Sequence, residues 1–178
     1  MLVETGDQAS VSIRAIAKAA GVTPPSIYLH FADKEGLLLE VCNRRFAEMN
    51  RRMDEAGAAH DDPVEALGAR GRAYIRFALE NPEHYRVLML TKGELREPGD
   101  EGGPAQGRIA FDSHVEAVTR CIESGAFRPD DPFAAAIDLW AGVHGLSSLL
   151  ITLPGFPWPE TDATIEHLME SQVKGFLA

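Results

Sequence analysis

Side chains that could carry out catalysis or bind a metal are dispersed along this chain of 178 residues. Its six histidines form no zinc-type pair; they are His30, His60, His84, His114, His144 and His167. The two cysteines, Cys42 and Cys121, fall in separate helical patterns, which is typical of reduced thiols in a cytoplasmic protein. Because there is also no glycine-rich phosphate loop and no serine or cysteine nucleophile motif, we expect no enzyme activity, no metal site and no cofactor.

A more specific pattern lies close to the N-terminus. Ser12 can cap a first helix whose apolar residues recur at helical spacing, and Gly21 can end that helix with a positive φ. Thr23 can then cap a second helix, which begins at Pro24 and ends near His30. Two short helices joined by a tight turn form a helix-turn-helix, in which the second helix enters the major groove of DNA. The spacing alone is also compatible with an ordinary helical corner.

The residues of this segment also carry a family resemblance. The run from Ser12 to Leu39 contains, in order, an Ile-Ala-x-x-Ala-Gly-Val turn, a Tyr-x-His-Phe helix and a Lys-Glu-x-Leu motif. All three match the DNA-binding signature of the TetR family, so the chain resembles a TetR-type transcriptional regulator. The resemblance implies a homodimer that binds double-stranded operator DNA and responds to a small-molecule effector.

The resemblance also implies roles for individual residues. Positions that match base-reading sites are Arg14, Pro24, Pro25, Ser26 and Leu29. Positions that match phosphate-binding sites are Thr23, Tyr28, His30 and Lys34. A guanidinium suits bidentate contact with guanine, whereas hydroxyl, phenol and cationic groups suit phosphate oxygens. Tyr28 and His30 could instead pack against the third helix. The residues expected in the core are Ile16, Val22, Ile27 and Phe31.

The family's DNA-binding domain has a first helix that supports the other two. Here Met1–Thr5 alone precedes Gly6 and resembles the last turn of that helix, which is too short to be stable by itself. We therefore expect a truncated first helix. Either the start lies upstream or the DNA-binding head is weakened, and whether this chain binds DNA stays open.

Helical signals continue to the C-terminus, and no segment predicts a strand. The predicted helices lie at about 34–56, 62–80, 83–91, 108–124, 131–152 and 160–176, with a mobile loop at 93–107 and a stiff turn at 154–159. We therefore predict an all-α protein. By resemblance, residues 1–45 form the helix-turn-helix DNA-binding domain and residues 46–178 form a helical bundle for effector binding and dimerisation.

The formal net charge of −10 is unevenly distributed. Residues 1–52 carry seven basic and six acidic side chains, whereas residues 53–178 carry ten basic and 21 acidic ones. Phosphate attraction depends on charge within about 8 Å, the Debye length at physiological salt. A near-neutral head on an acidic body fits a protein that offers DNA one end only, although an acidic body that is merely soluble fits equally well.

The C-terminal part contains a second motif, Trp140-Ala-Gly-Val-His144-Gly145. It resembles the Trp-x-x-x-His-Gly signature of one TetR subgroup, and Trp140 and His144 share a helix face at i, i+4. His144 could hydrogen-bond a ligand or a backbone carbonyl. The residues predicted to line an effector pocket are Tyr74, Phe77, Leu88, Phe111, Val115, Trp140 and His144, although each could equally belong to a filled core.

By resemblance, the last two helices form the dimer interface. Their apolar residues predicted for it are Leu146, Leu149, Leu150, Ile165, Leu168, Met169, Val173 and Phe176. The leading hypothesis is therefore a repressor that a small, lipophilic effector releases from DNA. A helical dimer whose head no longer binds DNA is the alternative. The stretch 139–159 has five Gly or Pro residues after Val143, which argues against a membrane helix, and no leader segment is evident, so we expect a cytoplasmic protein.

Overall fold

The computed structural model describes residues 12–90, 105–128 and 130–178. In this part of the chain every regular element is helical, apart from one isolated bridge between Phe127 and Leu177. The helices are α1 (Ile13–Ala20), α2 (Pro24–Tyr28), α3 (Lys34–Ala58), α4 (Pro63–Glu80), α5 (Pro82–Tyr85), a π-helical turn (Arg86–Leu90), α6 (Ala105–Glu123), α7 (Pro132–Thr152) and α8 (Thr161–Lys174). The predicted all-α fold class is confirmed. The truncated first helix lies outside the described residues.

Most helix starts follow the capping residues that the sequence offers. The Asp62 side chain accepts hydrogen bonds from the backbone N–H groups of Val64 and Glu65, and Pro63 occupies the first position of α4. Asp131 caps α7 in the same way, with a bond from the N–H of Phe133. These carboxylates satisfy N–H groups that have no partner inside the helix, which fixes where each helix begins.

Two predicted segments differ from the structure. The helix expected at 83–91 is a short α-helix followed by the π-helical turn, and residue 91 lies outside the described part. The loop expected at 93–107 is wrong for its last three residues, because α6 begins at Ala105. Gly107 allows the helix to approach the ring of Phe46, since a Cβ there would lie 3.4 Å from that ring. The N–H of Gln106 also donates to Asn43 Oδ1 over 3.4 Å.

The chain divides into two compact units. The first contains the described residues 12–47, 82–90 and 105–108, and the second contains 48–81, 109–128 and 130–178. In the second unit α4 packs against α7 and α8, which also pack against each other. The buried residues of one core cluster in this unit are Leu67, Ala117, Val118, Cys121, Phe127, Ala135, Ala136 and Leu139. The division after residue 45 stays a prediction about domains.

Helices α7 and α8 meet at a glycine. The Gln172 side-chain amide donates to the carbonyl oxygens of Asp138 (3.3 Å) and Leu139 (3.0 Å) on α7. A Cβ at Gly142 would collide with this amide. The absence of a side chain at position 142 is therefore what lets Gln172 reach the backbone of α7.

Helix α7 is also the longest apolar segment of the described residues. It is 21 residues long and contains an 18-residue window with a mean hydropathy of 1.4, so that by length and composition alone it could cross a membrane. Of the five Gly or Pro residues after Val143, Gly145 lies within the helix and does not interrupt it, whereas the other four follow its end at Thr152. The same composition is typical of the central helix of a helical domain, and α7 packs against α4 and α8.

Both cysteines are free thiols, and the structure places both of them in buried positions. Cys121 lies beneath the start of α4, where its thiol donates to the Pro63 carbonyl oxygen over 3.2 Å. Burial raises the pKa of Cys121 to about 11, and burial also raises the pKa of Cys42. The neutral thiol is the unreactive form, so both residues act as small apolar groups of the core.

Candidate DNA interface and aromatic cluster

The turn between α1 and α2 is built around Gly21. This residue adopts φ +68°, in the left-handed region, and its N–H bonds to the carbonyl oxygens of Ala17 and Lys18. The N–H of Val22 also donates to the Ala17 carbonyl, over 3.0 Å. Extended backbone at Thr23 (φ −90°, ψ 149°) then leads into α2. The chain therefore reverses within three residues, which is the tight turn that a helix-turn-helix requires.

A small core holds the two helices together. It consists of buried Ile13, Ala17 and Ile27, and the partly buried residues packed against it are Ile16, Phe31 and Leu37. The core positions predicted for Ile16, Ile27 and Phe31 are confirmed. The core position predicted for Val22 is wrong, because α2 begins only at Pro24 and Val22 lies in the turn with 46% of its surface exposed.

The predicted DNA-binding residues lie on the open surface of this unit. Tyr28 is 55% exposed and Leu29 is 82% exposed, so neither is core. The other exposed residues of the set are Arg14, Thr23, Pro25 and His30, and those of intermediate exposure are Pro24, Ser26 and Lys34. Tyr28 and His30 are therefore surface residues of this unit. Their contacts with DNA remain predictions.

The start of α2 has few free hydrogen-bonding groups. Pro24 and Pro25 carry no N–H, and the N–H of Ser26 donates to the Thr23 carbonyl over 3.0 Å. The Ser26 and Thr23 hydroxyls are hydrogen-bonded to each other at 2.9 Å. The prediction that the Thr23 side chain caps this helix is wrong, because its hydroxyl accepts from no backbone N–H and pairs with that of Ser26 instead.

In the second unit, three predicted pocket residues form a hydrogen-bonded chain. The indole N–H of Trp140 donates to the Tyr74 hydroxyl oxygen over 3.4 Å. The same hydroxyl lies 3.3 Å from Nδ1 of His144. Because an indole N–H can only donate, the Tyr74 oxygen accepts from Trp140, and the direction of its second bond, with His144, is set by the tautomer of the imidazole. Burial lowers the pKa of His144, which favours the neutral imidazole.

Aromatic rings extend this chain into a cluster, which we call the aromatic cluster: Tyr74, Phe111, Phe133, Trp140 and His144. The Phe111 ring makes edge contacts with Phe133 (5.4 Å between centroids) and Trp140 (5.8 Å). Trp140 and His144 lie 5.6 Å apart. Edge-to-face contacts of this kind are favourable beyond the burial of area. Phe133 was missed by the sequence reasoning, although it stands about two helical turns before Trp140 on the same helix.

Beside the aromatic cluster lies a partly buried histidine, His114, whose ring centroid is 6.3 Å from that of Phe111. His114 Nε2 is 3.1 Å from the carbonyl oxygen of Ala136, so this nitrogen carries the proton and donates. Burial, together with the charge of Arg70, lowers the pKa of His114 to about 4, against the opposing effect of the Ala136 hydrogen bond. His114 is therefore neutral at physiological pH and serves as a fixed donor between α6 and α7.

Three predicted pocket residues lie elsewhere. Phe77 is buried with the Arg52 guanidinium 5.5 Å from its ring centroid. Val115 packs against the core cluster of the second unit. Leu88 belongs to the first unit and is of intermediate exposure. The described contacts thus bring together four of the seven predicted pocket residues, and the role of all seven in effector binding stays a prediction.

A polar cleft of about 390 Å³ opens in the second unit near the C-terminal end of α3. On its wall, Arg70 is only 5% exposed and donates to Asp54 Oδ1 and, over 2.9 Å, to Ser113 Oγ. Its Nε atom is buried without a partner. Arg70 joins helices α3, α4 and α6, and no sequence motif indicated it. Within the described residues, no group of three or more His, Cys, Asp or Glu side chains could hold a metal ion.

The predicted dimer residues divide into two groups. Leu146, Ile165 and Met169 are buried inside the subunit itself. Leu149 is 46% exposed, and the residues of intermediate exposure are Leu150, Leu168, Val173 and Phe176. The exposed apolar residues that follow α7, Leu153 and Phe156, were not predicted. A contact with a partner stays a prediction for the whole set.

Two family models match the chain. The model described as bacterial regulatory proteins, tetR family, matches residues 2–41, and the model described as tetracyclin repressor-like, C-terminal domain, matches residues 67–173. A relative, the uncharacterized HTH-type transcriptional regulator YobS of Bacillus subtilis, is 26% identical over 141 residues, covering 79% of this chain and 68% of YobS.

Solved structures share the fold. The fatty acid degradation regulator FadR from Bacillus halodurans has a TM-score of 0.80 at 18% identity, covering 98% of this chain and 93% of FadR. AibR, solved in complex with isovaleryl coenzyme A and operator DNA, has a TM-score of 0.67 at 21% identity, covering 96% of this chain and 89% of AibR. The common architecture is an N-terminal helix-turn-helix followed by a helical C-terminal domain.

Proposed function

The chain belongs to the TetR family of transcriptional regulators, which are not enzymes, and from this premise we propose that it is a repressor released from its operator by a small lipophilic effector. The observation that carries the DNA-binding part is the exposure of α2. A five-residue helix is too short to be stable alone, yet here it is held by a three-residue core with its outer side chains open to solvent. Such a helix is suited to enter a major groove.

The proposed contacts with DNA divide by chemistry. Base edges are read by Arg14, Pro24, Pro25, Ser26 and Leu29. Phosphates are bound by Thr23, Tyr28, His30 and Lys34. Phosphate contacts set the position of the protein on the duplex, and base contacts set the sequence that it prefers.

We propose that the aromatic cluster binds the effector. Its edge-stacked rings offer an apolar lining, and the Trp140–Tyr74–His144 chain places a few polar groups among them, which is the usual make-up of a ligand site. AibR was solved with isovaleryl coenzyme A, and a short branched acyl group is the kind of ligand that such a lining accommodates. An effector can release the operator only if it binds the DNA-free state more tightly.

We further propose that the chain forms a homodimer. Two copies related by a two-fold axis would present two α2 helices to half-sites one helical turn apart, about 34 Å. The apolar residues of α7 and α8 supply the interface. We also propose that the chain acts in the cytoplasm. On the motif at residues 140–145, we propose that its C-terminal domain belongs to the TetR subgroup with a Trp-x-x-x-His-Gly signature.

A gel-shift titration on the promoter of its own gene tests the DNA-binding part. We expect a shift that weakens steeply between low and physiological salt, because phosphate contacts release counterions. Arg14→Gln should weaken binding, whereas Lys174→Gln, which removes an exposed cation at the far end of the chain, should not. A folded dimer that shifts no DNA even at low salt would establish the alternative, a helical dimer without a DNA-binding head.

Thermal-shift screening tests the effector part. Short-chain acyl compounds should raise the melting temperature, since a ligand that binds only the native state stabilises it. Trp140→Ala and His144→Ala should abolish this shift, and the exposed His167→Ala serves as the matched control. Unchanged effector affinity in His144→Ala would assign that residue to the core.

A further inference from the structure

The α2 helix lacks the side chains that most base-reading helices use to form hydrogen bonds with bases. Residues 22–29 contain no Asn, Gln, Arg or Lys, the side chains that make bidentate hydrogen bonds with adenine or guanine. The hydroxyl of Ser26 is hydrogen-bonded to that of Thr23 at 2.9 Å. Pro24 and Pro25 have no N–H to donate. Hydrogen-bonded reading of bases by this helix is therefore severely limited.

One face of α2 exposes apolar side chains. Pro25 and Leu29 stand at i, i+4 and share one face of the helix, and Val22 precedes them in the turn. We call Val22, Pro25 and Leu29 the apolar reading face. All three are exposed, and Leu29 retains most of its surface. Exposed apolar side chains gathered on so short an element indicate that a partner covers them.

In the major groove, one chemical group matches such a face. The 5-methyl group of thymine is the only apolar group that base edges present there, and contact with it distinguishes A·T from the other pairs. Resting on the proposed function, we propose that the apolar reading face recognises thymine methyl groups, so that the base pairs under α2 are A·T pairs. The hydrogen-bonded part of the recognition then falls to Arg14 on α1, which is exposed and carries N–H groups that the N7 and O6 atoms of guanine can accept.

The first step of the test is to obtain the operator without assuming it. The full chain is used to select duplexes from a random pool at low salt, and the half-site is read from the enriched sequences. Each thymine of the half-site is then replaced by uracil, which removes the methyl group and keeps every hydrogen-bonding group of the base. One buried methyl group contributes about 0.8 kcal/mol, so each uracil under the face should lower affinity about fourfold, whereas uracil elsewhere should leave it unchanged.

Variants of Leu29 test whether the loss of affinity on replacing thymine by uracil arises from the apolar reading face. In Leu29→Ala, the thymine-to-uracil difference at the position under Leu29 should vanish, while Leu29→Met, which keeps an apolar side chain, should retain it. Since Leu29 is so exposed, both variants should melt at the wild-type temperature.

The outcomes separate the two proposals. If no duplex is enriched by a folded protein, the proposed function fails. If a half-site is enriched but tolerates uracil at every position, or if Leu29→Ala keeps the full thymine preference, the thymine inference is overturned while the regulator stands.

Discussion

Stability should fall as the pH is lowered from 7 to 4, and His114 should account for much of the fall. Its folded-state pKa of about 4 lies below the ordinary 6.5, because burial disfavours the charged imidazole. Between pH 6.5 and pH 4 the His114 imidazole is protonated in the unfolded chain but neutral in the folded chain. The free energy of unfolding therefore decreases as the pH falls. At about 1.4 kcal/mol per pH unit, the full effect is about 3 kcal/mol.

The measurement is urea unfolding followed by circular dichroism at several pH values. One protein concentration is used throughout, because the stability of a dimer depends on it. His114→Gln keeps a donor for the Ala136 carbonyl but cannot titrate, so its stability should fall by about 3 kcal/mol less than that of the wild type over this range. His167→Gln, which removes an exposed imidazole, should follow the wild type.

The loss of stability in the variant must be subtracted from that in the wild type, because other groups also titrate in this pH range. Burial also lowers the pKa of His84 and of His144, so part of the loss remains in His114→Gln. The reasoning is refuted if His114→Gln and the wild type lose stability in parallel. In that case the His114 imidazole would be protonated as readily in the folded chain as in the unfolded one.

Three further changes test local features. Gly21→Ala should destabilise the helix-turn-helix by about 1–2 kcal/mol, because a Cβ is strained at φ +68° although it meets no neighbour; a melt unchanged from the wild type would contradict this. Tyr74→Phe should lower stability by about 1–3 kcal/mol in urea unfolding, since the Trp140 N–H loses its acceptor; a neutral result would mean that water replaces the hydroxyl. Glu166→Gln should lower stability by at most about 1 kcal/mol, and less in high salt, because the bidentate Arg72–Glu166 pair that joins α4 to α8 is partly exposed; a larger or salt-independent loss would contradict this.

The features that sequence could predict are those encoded locally. Ser12, Asp62 and Asp131 cap helices through contacts within three residues, so their positions are visible in the sequence. Gly21 is recognisable for the same reason, because a positive φ after a helix favours glycine.

The features that sequence missed depend on distant partners. Ala105–Gly107 has the composition of a loop, yet it is helical where Gly107 packs against Phe46. Phe133 joins the aromatic cluster through Phe111, and Arg70 finds its partners on two other helices. Such contacts join residues that are 16 to 61 positions apart, and no periodicity within one helix encodes them.

The contact of Gln172 with α7 has a consequence for how this sequence can evolve. Any side chain at position 142 would displace the Gln172 amide, and any loss of that amide would remove the reason to keep a glycine there. The two positions are therefore coupled: a side chain at 142 collides with Gln172, and a shorter residue at 172 removes that collision. Among descendants of this chain, we expect alanine at 142 to occur together with a shorter residue at 172, and a glycine at 142 to persist wherever glutamine does.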